Sequence, residues 1–149
     1  MNWKTDWKTF IESVAKDFDA GHSDEEVTSI YAGHDVLWTG TINDKELDDK
    51  DMPGMVMDMP AVKVELKDGR SSKVDYLYLH LEKSQVDSWR KLKVGSRVTF
   101  RTQIISATGP FAGISWSPLD QKRGVILLST RGGEPVKTAQ QSAQRSSQD

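Results

Sequence analysis

The chain of 149 residues contains no cysteine, which excludes disulfide bonds, thiolate metal ligands and a cysteine nucleophile. It also lacks a long hydrophobic run: no apolar stretch approaches the roughly 20 residues that a membrane-spanning helix needs. The N-terminus has neither the basic start nor the apolar segment of a signal peptide. From these absences we expect a soluble, cytoplasmic protein that does not bind a membrane.

The net charge of −2 conceals two regions of opposite sign. Residues 1–53 hold 5 Lys or Arg and 13 Asp or Glu, whereas residues 54–131 hold 13 and 7. A basic region permits binding to nucleic acid. The alternative is internal complementarity, in which acidic helices lie on basic strands.

Two helices are predicted before the first strand. Apolar residues from Trp3 to Phe18 recur at spacings of three and four, which is typical of an amphipathic helix. Ser23 and Glu26 have the spacing of a capping box, which indicates the start of a second helix that ends near Gly33. We therefore interpret residues 1–33 as an N-terminal helical extension.

Alternating apolar residues then predict five strands, at residues 36–42, 55–66, 73–81, 96–106 and 124–129. In the third, Leu77 and Leu79 alternate with Tyr76, Tyr78 and His80, so the leucines share one face and the rings the other. A helix is predicted at residues 84–92, between strands three and four. Residues 132–149 are rich in Gln, Ser and Ala, and we expect a disordered tail there.

This order of three strands, a helix and two strands resembles the OB-fold over residues 34–131. The resemblance implies a mainly β (α+β) protein: a five-stranded barrel with a helix between strands 3 and 4, preceded by two helices. An SH3-like or other small five-stranded barrel is the nearest alternative, and the helix at residues 84–92 favours the OB version. The resemblance also implies a ligand face on strands two and three.

Tyr76, Tyr78 and His80 would lie on that face, where flat side chains stack on nucleic-acid bases. In the alternative, the N-terminal helix covers the face, because Trp3 and Trp7 need a partner. Either interpretation gives the aromatic side chains something to contact.

Five further residues are candidates for ligand binding. Phe111 and Trp116 belong to a predicted loop at residues 107–123, which would either close over a ligand or be tethered to the barrel. Arg70, Lys73 and Arg101 are candidate phosphate contacts, or simply solvated charges.

Met55, Met57 and Met59 alternate within the second strand and would share one face. Exposed methionines suit an adaptable protein-binding surface, which could hold a peptide or a second copy of the chain. In the alternative they fill the core, because Pro60 can shift the alternation and turn them inward.

No pattern of an active site or of a cofactor site is present. The segment at residues 43–51 is polar and acidic and is predicted to be a loop. It follows a calcium loop only at Asp44, Glu46 and Asp48, and Asp49 stands where the turn glycine belongs. We therefore expect no metal, no cofactor and no enzymatic activity.

The predicted function is binding of single-stranded DNA or RNA on the strand 2/3 face. The alternative is a protein-interaction module that uses the methionine segment and the tyrosine face.

Overall fold

The computed structural model describes residues 2–67, 69, 71–108 and 127–136. Within these residues the chain forms three α-helices, a short 3-10 helix and five strands. Their order is α1 (Trp7–Asp19), α2 (Asp24–Tyr31), β1 (Asp35–Glu46), β2 (Gly54–Glu65), β3 (Ser71–His80), the 3-10 helix (Lys83–Gln85), α3 (Val86–Arg90), β4 (Arg97–Thr108) and β5 (Leu127–Pro135).

The strands form one antiparallel sheet in the order β3-β2-β1-β4-β5. The sheet curls into a half-barrel, and its two edge strands approach each other where the Thr130 hydroxyl donates to the Tyr78 carbonyl at 3.2 Å. The predicted class is therefore confirmed: a mainly β protein with two leading helices and a further helix between β3 and β4. This arrangement is compatible with an OB-like fold.

The methionines of β2 lie inside the curled sheet. Met55 and Met57 are fully buried, and Met59 is 5% exposed. The register between β2 and β3 shifts between Asp58 and Val62, and Val62 is buried as well. Of the two alternatives for these methionines, their burial bears out core filling and contradicts the exposed protein-binding surface. Because the register shifts at this point, the three methionines and the valines Val62 and Val64 after the shift are all buried. The three methionine side chains therefore offer no surface to a partner.

The two N-terminal helices close one end of the sheet. Trp7 and Phe10 of α1 contact Trp38 of β1, with ring centroids 5.0 and 4.9 Å apart. The Trp38 indole N–H donates to the Trp3 carbonyl at 3.1 Å, and that of Trp7 donates to the Pro60 carbonyl at 3.0 Å. The contact between α1 and the sheet is thus built from aromatic rings and their polar atoms.

Helix α2 begins with the predicted capping box of Ser23 and Glu26, which is confirmed. The first residue of β1, Asp35, pairs with Gln103 of β4, and α2 lies beside the part of β4 that follows Gln103. There the Gly33 N–H donates to the Ile104 carbonyl at 2.8 Å, and the Thr28 hydroxyl donates to the Ala107 carbonyl at 3.1 Å. The Thr28 side chain of α2 and the backbone of Gly33 just after the helix therefore satisfy carbonyl groups of β4 that a neighbouring strand would otherwise bind.

The last strand extends into the segment that the sequence predicts as tail, since β5 ends at Pro135. The Gly133 carbonyl accepts from the Trp89 indole N–H at 3.0 Å, and the Gly133 N–H donates to Gln85 Oε1 at 2.9 Å. Both partners come from the helical connection between β3 and β4. These long-range bonds keep residues 132–135 in the sheet despite their polar composition.

Candidate ligand-binding surface

The outer face of β3 carries Tyr76, Tyr78 and His80, which we call the aromatic row. Tyr76 is 49% exposed, His80 is exposed and Tyr78 is half-buried, whereas Leu77 and Leu79 between them are buried. The alternation of the strand therefore places the three rings on one side of this part of β3 and Leu77 and Leu79 on the other.

Tyr78 is held in place by two neighbouring strands. Its ring lies over Gly54 of β2, where an added Cβ would approach Tyr78 Cζ to 2.6 Å. Its hydroxyl donates to Glu46 Oε2 of β1 at 3.3 Å. The ring centroid of His80 lies 4.7 Å away at an interplanar angle of 58°. The pair thus forms a fixed, tilted surface of two rings.

Carboxylates lie on one side of this surface, on β1, on β2 and in the connection between them. Asp44 of β1 is paired across the sheet with Val56, and Asp58 of β2 is paired with Tyr76, so Asp58 lies on the strand next to β3 and Asp44 one strand further away. Burial raises the pKa of Tyr78, and the charges of Glu46, Asp49 and Asp44 raise it further. We call the four acids the acidic border: Asp44, Glu46, Asp49 and Asp58. These acids add negative charge beside the aromatic row.

The acidic border differs from the sequence prediction in one respect. The polarity of residues 43–46 predicts a loop, but β1 continues through Glu46 and pairs with Gly54. Asp44 and Glu46 consequently stand on the sheet, two strands from the aromatic row. Only the pairing with β2 reveals a strand here.

The N-terminal helix leaves the aromatic row open. Trp3 packs edge-on against Tyr31, with centroids 4.9 Å apart, and Trp7 packs against Trp38. Both tryptophans thus find partners in the core, while Tyr76 remains half exposed.

The two candidate phosphate contacts that the structure describes, Lys73 and Arg101, each lie near a carboxylate. The Lys73 Nζ lies 3.7 Å from Asp75 Oδ2, and the Arg101 Nη1 lies 3.5 Å from Glu134 Oε1. Arg101 belongs to β4, three strands from β3, a separation of about 14 Å along a sheet with strands about 4.8 Å apart. Three predicted candidates lie outside the described residues: Arg70, Phe111 and Trp116.

A shallow cleft of about 380 Å³ lies beside the acidic border, between the β1–β2 connection and α3. Leu47, Pro53 and Val86 form its apolar lining. Arg90 Nη2 contacts Asp48 Oδ1 at 2.9 Å and so links the β1–β2 connection to α3. Because both side chains are largely exposed, this ion pair adds little to stability.

Among the residues that the structure describes, no three acidic or histidine side chains are grouped so that they could hold a metal ion. No helix in the same part of the chain is long and apolar enough to cross a membrane. Comparison with known protein families, curated proteins and solved structures finds no match to this chain.

Proposed function

We propose that this chain is a non-enzymatic binding module, an OB-like barrel that holds an extended polypeptide segment along the aromatic row. The observation that carries the proposal is the half-exposed ring of Tyr76 beside the fixed pair of Tyr78 and His80. Exposed aromatic groups mark interaction sites, and tyrosine is enriched among the residues that dominate binding energy.

Electrostatics favours a polypeptide over a nucleic acid. A phosphate backbone along β3 would run beside the acidic border, and repulsion would oppose binding. Lys73 and Arg101, two of the candidate phosphate contacts, each have a carboxylate nearby. A polypeptide carries no obligatory negative charge and meets no such repulsion.

Single-stranded nucleic acid is the second candidate, because one feature favours it. The rings of Tyr78 and His80 lie on a strand face of the kind on which OB barrels stack bases. In this version Arg70 and the predicted loop with Phe111 and Trp116 would supply the remaining contacts.

The test is a binding measurement with the double variant Tyr76→Ala/Tyr78→Ala. Peptides selected from a random display library on the wild-type protein should bind it in fluorescence anisotropy, and the double variant should lose at least about tenfold in affinity, or about 1.4 kcal/mol. Ile105→Ala is the matched control, since Ile105 is 42% exposed on β4, away from the row. Unchanged affinity in the double variant would contradict the proposal.

Labelled single-stranded DNA and RNA, tested at low and at physiological salt, separate the two candidates. Phosphate contacts make affinity fall steeply with salt, whereas recognition of an apolar or mixed peptide depends on salt much less. Salt-sensitive oligonucleotide binding that requires both tyrosines would favour the second candidate.

A further inference from the structure

On the basis of the proposed function, we infer that the bound segment presents a cationic side chain, arginine or lysine, to the ring pair Tyr78–His80 and to the carboxylates of Asp44 and Glu46. This names the chemistry that the surface selects. The cation would gain two kinds of contact at once, with an aromatic face and with a carboxylate.

The aromatic contribution comes from rings that are already in place. A guanidinium or ammonium group within about 6 Å of a tyrosine ring is attracted by the negative potential of the ring face. Tyr78 rests on Gly54 and is hydrogen-bonded to Glu46, so little conformational freedom is lost when a ligand stacks on it. The same hydrogen bond keeps a carboxylate at the edge of the ring.

The lysine between the two acids in sequence does not form an ion pair with either carboxylate. Lys45 lies between Asp44 and Glu46, but its Nζ donates to the Leu92 carbonyl at 2.6 Å. Alternation along β1 therefore puts the two acids on one side and the lysine on the other. Asp44 Oδ1 accepts the Lys45 backbone N–H at 2.9 Å and Glu46 accepts from Tyr78, so within β1 neither carboxylate is paired with a cation.

Charge complementarity thus identifies the occupant. Negative groups bordering an apolar ring surface favour a positive partner and penalise a negative one, which gives specificity more than raw affinity. Arginine fits best, because its planar guanidinium stacks on a ring while its N–H groups pair with a carboxylate. Lysine supplies the same charge without the flat stacking surface.

The experiment compares three labelled peptides of equal length, in which glycine alternates with arginine, with citrulline or with glutamate. Citrulline keeps the shape of arginine without its charge. The wild-type protein should bind the arginine peptide at least about tenfold tighter than the citrulline peptide, a difference of about 1.4 kcal/mol, with the glutamate peptide weakest. The variant Asp44→Asn/Glu46→Gln should lose most of this preference. The amide oxygen at position 46 would still accept the hydrogen bond from Tyr78.

A control with the same change in net charge is Glu12→Gln/Glu65→Gln, in which both acids are exposed and lie outside the acidic border. It should keep the preference of the wild type. The inference is overturned if the control loses as much as the site variant, if citrulline equals arginine, or if the arginine peptide does not bind. Circular dichroism of each variant establishes that it is folded.

Failure of the inference and failure of the proposed function give different results. If binding needs Tyr76 and Tyr78 but does not depend on the charge of the peptide, the inference of a cationic side chain is contradicted. The proposal that the aromatic row is the binding site then still stands. If the arginine peptide binds Tyr76→Ala/Tyr78→Ala with the affinity of the wild type, both the inference and the proposed function are contradicted, because the cation then binds elsewhere.

Discussion

The ring of Tyr78 lies so close to the backbone of Gly54 that any side chain at Gly54 would displace it, since an added Cβ would come 2.6 Å from Tyr78 Cζ. Gly54 of β2, which has no side chain, therefore determines where the Tyr78 ring of β3 can lie. Because the ring centroid of His80 lies 4.7 Å from that of Tyr78, the geometry of the pair also depends on Gly54.

We predict that Gly54→Ala displaces the Tyr78 ring without unfolding the protein. Tyr78 lies at the surface and can rotate outward, so the free energy of unfolding should fall by only about 1 kcal/mol, the low end for overpacking. Contacts between Tyr78 and His80 in nuclear Overhauser spectra should weaken, and ligand affinity should fall with them.

Tyr78→Phe is the matched control for this change. It keeps a ring over Gly54 and removes only the hydroxyl that donates to Glu46. The phenyl ring of this variant should retain its contact with His80. If Gly54→Ala preserves the Overhauser contacts as well as Tyr78→Phe does, the close approach of Tyr78 to Gly54 does not control the ring pair.

A second prediction concerns Tyr31, whose hydroxyl donates to Asp17 Oδ2 at 2.6 Å. Burial, followed by the hydrogen bond and the charge of Asp17, raises the pKa of Tyr31 above its ordinary value of 10.0. Above about pH 10 the unfolded chain therefore releases this proton before the folded chain does. The stabilisation is complete below that pH and is lost as pH rises, by at most about 1.4 kcal/mol per pH unit.

Urea unfolding at several pH values between about 8 and 11 tests whether stability falls as pH rises, because this range spans the ordinary tyrosine pKa. Lysines also titrate in this range, so the comparison is between the wild type and Tyr31→Phe. The variant should be less stable near pH 8, through loss of the hydrogen bond to Asp17, and its stability should fall less steeply above about pH 10. If the plots of unfolding free energy against pH are parallel for the two proteins, Tyr31 has the same pKa in the folded and the unfolded chain.

The third prediction concerns the aromatic contact between α1 and the sheet. Trp7 packs on Trp38 and donates to the Pro60 carbonyl, so Trp7→Ala removes a buried ring and leaves that carbonyl without its partner. The free energy of unfolding should fall by about 3–5 kcal/mol. Lys8→Ala, at an exposed position of the same helix, should change it by less than about 0.5 kcal/mol. Equal effects would mean that α1 is not part of the core.

Local patterns predict the features that depend on neighbouring residues. The alternation of Leu77 and Leu79 with the rings of β3 identifies the two faces of that strand, and the spacing of Ser23 and Glu26 identifies the start of α2. Each of these features is decided within a few residues, by the two-residue period of a strand or by hydrogen bonds at a helix end.

Features that depend on pairing between distant strands could not be predicted in the same way. The polarity of Asp44 and Glu46 predicts a loop, and their place on β1 follows from pairing with β2. The register shift between Asp58 and Val62 likewise appears only when β3 lies alongside. The two faces of β3 were therefore predictable from sequence, and so was acidic charge at residues 44–51, but the place of Asp44 and Glu46 on a strand was not.

The fourth prediction uses the methionines to test that register shift. Met52 is 61% exposed in the connection before β2, whereas Met57 is fully buried five residues later. Oxidation to the sulfoxide depends on access, so dilute hydrogen peroxide should modify Met52 quickly while Met55 and Met57 react only as the protein unfolds. Peptide mapping by mass spectrometry follows each methionine separately, and a urea-unfolded sample gives the rates without protection. If Met57 were oxidised in the native protein as fast as Met52, the alternating methionines of β2 would face solvent, and the protein-binding surface that their burial excludes would return.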